Sequence, residues 1–329
     1  MSYRSIGRAV MVKVGRLGMN LVLHSLQSSR LLVLCYHSVV PDDVPHRVSN
    51  AVRETSFAAQ LEILAREFHP ISAAELRDWF GGHGSLPPNP VLVTFDDGYR
   101  NNLTHAAPIL LRYRIPAVIF VTSGYVGTKR ILWPEELLQL VLAWKSSMLP
   151  LPYGQCDVPS DQRLRERLAV QVTEHAKILP SDQAMAYLQS LRAANESSSC
   201  QVENPLAFLT WDEVRELARL GFEIGSHTIE HPILSRLSPE CLAGELQESK
   251  FAIERETGRP CRFFAYPNGR AEDLTPDVVD AVGQAGYDFG FTTNPRLCTA
   301  YDMPLALGRF VVPANVATDV FRARISWLR

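Results

Sequence analysis

Residues 91–101, VLVTFDDGYRN, form an apolar segment that ends in two adjacent carboxylates and a glycine, Asp96-Asp97-Gly98. An apolar strand stopping there aims two acids into one small space. Far downstream, the apolar segment 222–226 runs into His227-Thr228-Ile229-Glu230-His231, which places two imidazoles four residues apart. Two neutral imidazoles and one carboxylate are the mixed ligands that suit Zn2+ and related divalent ions, and three protein ligands leave positions open for water and substrate. The spare carboxylate can then move protons, so the combination is hydrolytic. Neither piece decides this alone. Adjacent aspartates at a strand-to-helix turn also serve as N-caps, and the His-x3-His spacing recurs by chance. Thr228 stands where a helical HExxH motif would carry its glutamate, so a general base must come from outside that motif. FDDG offers one.

Read with their flanks, these segments resemble the polysaccharide deacetylase family (carbohydrate esterase family four, chitooligosaccharide deacetylase-like), in its exopolysaccharide-type branch. The pieces that carry the resemblance are TFDDGYRNN at 94–102, LTWDEVRELARLGFEIGSHTIEHPILSRLS at 209–238, FFAYPNGR at 263–270 and AGYDFGFTT at 285–293. The resemblance implies that Asp96 is the general base and that Asp97, His227 and His231 bind the metal. It also implies an oxyanion donor in Tyr266-Pro267-Asn268-Gly269, the backbone N–H of Asn268, although a plain Pro-Asn-Gly turn would read the same. The chain departs from the common pattern twice. No histidine follows His231, so the C-terminal Leu-x-His that supplies a proton to the leaving amine is missing; His37, in LLVLCYHSVV, is similar to an N-terminal Tyr-His of the exopolysaccharide branch and is the candidate to replace it as general acid, although a lone histidine at a strand end also serves structure alone. Ala265 occupies the position of the family's third-motif arginine, and Arg309 is the candidate to hold Asp96 ionised in its place.

The function so implied is a metal-dependent hydrolase that removes acetyl groups from N-acetylhexosamine units of a polysaccharide or lipid-linked oligosaccharide. Zn2+ is the expected ion, with Co2+, Ni2+ or Fe2+ as alternatives because availability counts as much as ligand type. The same site would serve an O-acetyl carbohydrate esterase. A catalytically silent carbohydrate-binding barrel is the reading from another class, but binding alone would need the metal and not Asp96.

A chain of 329 residues, 46% hydrophobic, can bury a large core as one domain. Its net charge of -2 argues against a nucleic-acid surface. The six cysteines form no CxxC pair, which favours buried thiols in a reducing, cytoplasmic setting over a disulfide framework. Seven apolar stretches read as strands: 31–36, 91–95, 117–122, 222–226, 262–266, 288–293 and 305–312. Helical patterns lie between them, including 57–68, 103–113, 212–220, 239–257 and 276–285. Such alternation implies parallel β/α units, in number matching the distorted (β/α)7 barrel that the resemblance implies. In such barrels chemistry sits at the C-terminal ends of strands, where His37, Asp96, Asp97, Ser123, His227, His231 and Asn268 all fall. The barrel domain is expected over 29–329, with a helical insertion at 127–208 after the third strand, either a substrate-shaping lid or a cover for barrel surface. Residues 1–28 interleave Arg4, Arg8, Lys13 and Arg16 with apolar positions, as in a basic amphipathic helix that either packs on the domain or contacts an anionic membrane face. No signal peptide and no transmembrane span is expected.

Overall fold

The structure is a computed structural model that describes residues 30–43, 50–195, 206–314 and 316–326. The basic segment 1–28 lies outside the described residues. The central sheet is built from β1 (Leu32–Tyr36), β2 (His69–Pro70), β3 (Pro90–Phe95), β4 (Ala117–Val121), β5 (Glu223–Ser226), β6 (Phe263–Ala265), β7 (Phe289–Phe291) and β8 (Phe310–Val311). Continuous apolar runs such as LVLCY and AVIFV, buried at every position, are what parallel strands covered on both faces require. The strands pair in the order β7-β6-β5-β4-β3-β1-β8, all parallel, with β2 beside the start of β3. Beyond β7 a parallel bridge joins Phe291 to Leu307, just ahead of β8. The sheet thereby curls into the expected distorted (β/α)7 barrel.

Two sequence expectations need correction. The two-residue strand His69–Pro70 went unseen because so short a piece carries no periodic signal. The stretch 305–312 is not one strand: a short helical turn at Pro304–Ala306 precedes the bridge at Leu307 and the two-residue β8. Gly308 interrupts it where a Cβ would lie 2.4 Å from Arg296 Cγ.

Alternation along each strand splits the core. Leu32, Leu34 and Tyr36 face the helices, whereas Leu31 and Val33 belong with Phe120, Phe263 and Phe291 in a second cluster. The α-helices among the described residues are α1 (Glu54–Glu67), α2 (Ala73–Phe80), α3 (Ala107–Tyr113), α4 (Trp133–Leu142), α5 (Gln162–Lys177), α6 (Ser181–Asn195), α7 (Trp211–Arg219), α8 (Pro239–Thr257), α9 (Pro276–Gln284) and α10 (Thr318–Ser326). Ser72 and Thr210 open α2 and α7 with reciprocal bonds to Glu75 and Glu213, satisfying N–H groups that a helix start leaves orphaned.

Between β4 and β5 the chain adds α4, α5 and α6 together with an antiparallel hairpin, Met148–Leu151 with Gly154–Asp157, which the sequence reading did not anticipate. These pieces share an apolar cluster centred on Trp133, Leu137, Trp144 and Leu188. Among the described residues no helix is long and apolar enough to cross a membrane.

Candidate active site

Strand register sets the site. Tyr36 pairs with Phe95, Val121 with Ser226, Phe264 with Ser226 and Ala265 with Phe291. The residues that follow these pairs therefore emerge at one rim: His37, Asp96, His227 and Tyr266. There they line a cleft of about 280 Å³ with Asp97, His231 and Asn268. Arg309 does not line it; the guanidinium lies fully buried behind Asp96.

The FDDG turn positions both acids. Gly98 N–H reaches back to Asp96 O at 3.0 Å around Asp97, whose φ is 72°. Such a three-residue turn is rare and strained, and it points neighbouring carboxylates in different directions. Gly98 follows at φ 76°, where a Cβ would sit 3.2 Å from Val121 Cα. The turn at the end of β6 repeats the device, with Gly269 N–H on Pro267 O at 2.6 Å around Asn268 at φ 61°. Thr228 and His231 also have positive φ, 67° and 58°. For a β-branched residue such as Thr228 this is an outlier, and strain of this kind is stored at functional sites when the surroundings enforce it.

Asp97 Oδ1 lies 3.5 Å from Nε2 of both His227 and His231. Tetrahedral coordination with ligand distances near 2.1 Å would space its donors by about 3.4 Å, so the three residues fit a zinc-like ion. The Nδ1 of His227 donates to Ala265 O at 2.7 Å, which leaves Nε2 bare for a metal. Burial, then the charge of Asp96, pushes the Asp97 carboxyl well above its usual range, and burial lowers both imidazoles. The lowered imidazoles are held neutral, the form that can ligate, and a cation would favour the deprotonated carboxylate beside them. Tyr99, two residues beyond Asp97, donates to its carboxylate.

Asp96 is held differently. Arg309 grips both of its oxygens, at 2.6 and 2.7 Å, and Cys35 Sγ approaches Oδ2 at 3.4 Å. Burial, the largest single influence, would raise this carboxyl, but the charge and hydrogen bonds of Arg309 together with the charges of His227 and His37 outweigh it and hold the group well below the usual carboxylate range. Arg309 is steadied by Thr292 O, Thr94 Oγ1 and the ring of Phe120. The two neighbouring carboxylates thus have opposite environments within one dipeptide.

His37 sits across from Asp96, with ligand atoms of the two within 4.8 Å of each other. Asn102 Nδ2 donates to His37 O at 2.8 Å and Asn101 Nδ2 to Ser38 Oγ at 2.6 Å, so the asparagines of TFDDGYRNN fix the strand end that carries the histidine. Burial brings the imidazole down to about 4, against an opposing pull from Asp96. The Asn268 N–H finds no acceptor among the described residues, while its side chain bonds Asp273 at 2.6 Å and its carbonyl accepts from Thr293 Oγ1 at 2.7 Å. The N–H is available to a ligand.

Ser123 instead closes onto Thr228 O through its backbone N–H, and it does not line the cleft. The sequence reading missed Cys35 and Tyr99, which touch Asp96 and Asp97, Thr94, which accepts from Arg309, and Trp133, Glu135 and Lys177, which the insertion contributes to the cleft wall. Thr94 and Tyr99 flank FDDG and could have been found from that alone; the insertion residues carry no such signal.

A polysaccharide deacetylase family model matches residues 83–167 and 170–290, more than half of the chain and including Asp96, Asp97, His227 and His231. The chain belongs to the polysaccharide deacetylase family. Among its relatives is the Bacillus subtilis protein YxkH, provisionally named a polysaccharide deacetylase and 23% identical over 239 residues, 73% of this chain and 57% of that protein. The poly-beta-1,6-N-acetyl-D-glucosamine N-deacetylase of Escherichia coli K12 is 30% identical over 111 residues, 32% of this chain and 16% of the enzyme. The chain thus spans little more than half of the first of these curated relatives and a small part of the second. In fold it is similar to the deacetylase PplD of Streptococcus pyogenes (TM-score 0.60, 19% identity, 91% of this chain and 99% of that one). IcaB of Ammonifex degensii gives the same TM-score, 0.60, at 22% identity, covering 92% and 98%.

Proposed function

We propose that the protein is a metal-dependent deacetylase acting on N-acetylhexosamine units of a polysaccharide or lipid-linked oligosaccharide. The observation that carries this reading is the division of labour between Asp96 and Asp97: one carboxylate is clamped and ionised by Arg309, and the next faces two imidazoles at 3.5 Å. The name of the Escherichia coli relative, an N-deacetylase of poly-N-acetylglucosamine, supports the substrate class. Asp97, His227 and His231 would hold a divalent ion, which would supply Lewis acidity for the acetyl carbonyl and lower the pKa of water towards neutrality.

The chain's own groups do the rest. Asp96 accepts the proton of the attacking water; Arg309 keeps it ionised well below the usual carboxylate range, at some cost in basicity. The Asn268 N–H faces the developing oxyanion, the stabilisation that acyl transfer most needs. His37 is neutral at rest and lies within reach of Asp96, from which it takes the proton removed from water; the resulting imidazolium protonates the departing amine. Release of acetate from a panel of N-acetylated and O-acetylated glycans tests this. Release from the acetamides supports it; release from O-acetyl esters alone makes the protein an esterase, and release from neither, with metal bound, makes it a binding barrel.

A further inference from the structure

The two candidate metal-binding histidines are anchored in different ways. His227 has its Nδ1 on the carbonyl of Ala265, whereas Nδ1 of His231 is buried and has no partner among the described residues. Metal-bound imidazoles use such an outer contact to fix the ring, and what the protein offers His231 instead is a firm hold on its backbone. That backbone is itself strained. His231 precedes Pro232, and a residue before proline is steered towards extended conformations; His231 nevertheless has φ 58°.

The loop around it is tied down group by group. Glu245 accepts from the N–H groups of Ile229 and Glu230 at 2.7 and 3.1 Å, and Thr228 Oγ1 accepts from His231 N–H at 3.0 Å. The His231 carbonyl is held from the insertion, by the indole N–H of Trp133 at 3.0 Å. Trp133 is only 6% exposed and belongs to the insertion's own apolar cluster, into which Ile233 from the histidine loop also packs.

We propose that Trp133 is a positioning residue for the metal, holding His231 in the conformation that presents its Nε2 to the ion. This rests on the assignment of Asp97, His227 and His231 as ligands. The insertion is then part of the metal centre's support, not a cover for barrel surface.

The insertion supplies its own control. Trp144, 7% exposed in the same cluster, donates its indole N–H to Met148 O at 2.8 Å, away from the cleft. Trp133→Phe and Trp144→Phe therefore remove the same kind of bond from the same core. The readout is Zn2+ affinity of the full chain, measured by competition with a chromophoric chelator, so it needs no substrate. Trp133→Phe should weaken Zn2+ binding about 10- to 100-fold, the usual effect of losing an outer contact of a ligand, and Trp144→Phe should leave it within about 2-fold on the same grounds. Benzothienylalanine at position 133 replaces the N–H by sulfur at nearly constant volume and should reproduce the Phe variant even if that variant folds poorly. Wild-type affinity in a folded protein carrying either change at position 133 would overturn the proposal, as would an equal loss in Trp144→Phe. Failure of the wild-type protein to bind Zn2+ would overturn the ligand assignment beneath it. Retained binding in wild type with no acetate release would strike only the proposed activity.

Discussion

Arg309 and Asp96, 213 residues apart in the chain, form a two-pronged ion pair with no exposure of the guanidinium and 3% of the carboxylate side chain. With Arg309 Nε on Thr292 O and Nη1 also on Thr94 Oγ1, little freedom is left to the pair. Arg309→Met should therefore cost about 3–5 kcal/mol in stability, the usual effect of leaving one buried charge without its partner, and should lower turnover by raising the Asp96 carboxyl. The sign with pH follows from the direction of the shift. Asp96 is depressed in the folded protein, so the pair's contribution is complete above the ordinary carboxylate value near 3.9 and shrinks as pH falls below it. Urea unfolding of wild type and variant at pH 7 and near pH 3 measures this; a difference that grows on acidification would contradict it.

The two aspartates should separate cleanly. Asp96→Asn keeps the metal and loses about 10²- to 10⁴-fold in turnover, as expected for removal of a general base, while Asp97→Asn loses the metal. Metal analysis and kinetics on both proteins decide, and the opposite pattern would reverse the roles.

For His37, NMR titration of the metal-free protein should find the imidazole neutral down to about pH 4. Because burial depresses this base, the unfolded chain binds the extra proton first, so its share of stability is lost as pH falls from about 6.5 towards 4. His37→Ala should lose acetamide turnover yet retain most hydrolysis of an activated acetyl ester, whose leaving group needs no proton. Equal losses on both substrates would remove the proton-donor role.

Gly269 closes the turn that presents the Asn268 N–H. At φ 60°, with a Cβ position 2.8 Å from Tyr266 O, Gly269→Ala should cost at least about 1 kcal/mol and lower turnover more than it weakens metal binding. A urea midpoint equal to wild type would show that the turn accommodates the methyl.

The parts of this molecule legible in its sequence are those written in contiguous residues. FDDG and His-x3-His each sit just past an apolar run, so both the barrel strands and the candidate Asp-His-His cluster could be read there, and His37 was within reach because it too ends a strand. The Asp96 clamp was harder: Arg309 follows an irregular stretch, and only the missing arginine at Ala265 pointed to it. Trp133 was not legible at all. Its link to His231 crosses 98 residues between an insertion and a barrel loop, and no local pattern encodes a contact of that kind. The hairpin of the insertion was hidden in the same way, since its strands pair with each other and not with the barrel.

The central claim is that Asp97, His227 and His231 hold the ion that drives deacetylation. It is tested most directly by stripping the protein of metal and titrating Zn2+ back while measuring acetate and free amine released from N-acetylglucosamine oligomers. Wild-type protein should regain activity in proportion to added metal and level off at about one equivalent, the stoichiometry of a single three-ligand site, with acetate and amine in equal amounts, whereas His227→Ala should gain neither metal nor activity. Full acetate release by the stripped protein, or by metal-free His227→Ala, would contradict the account.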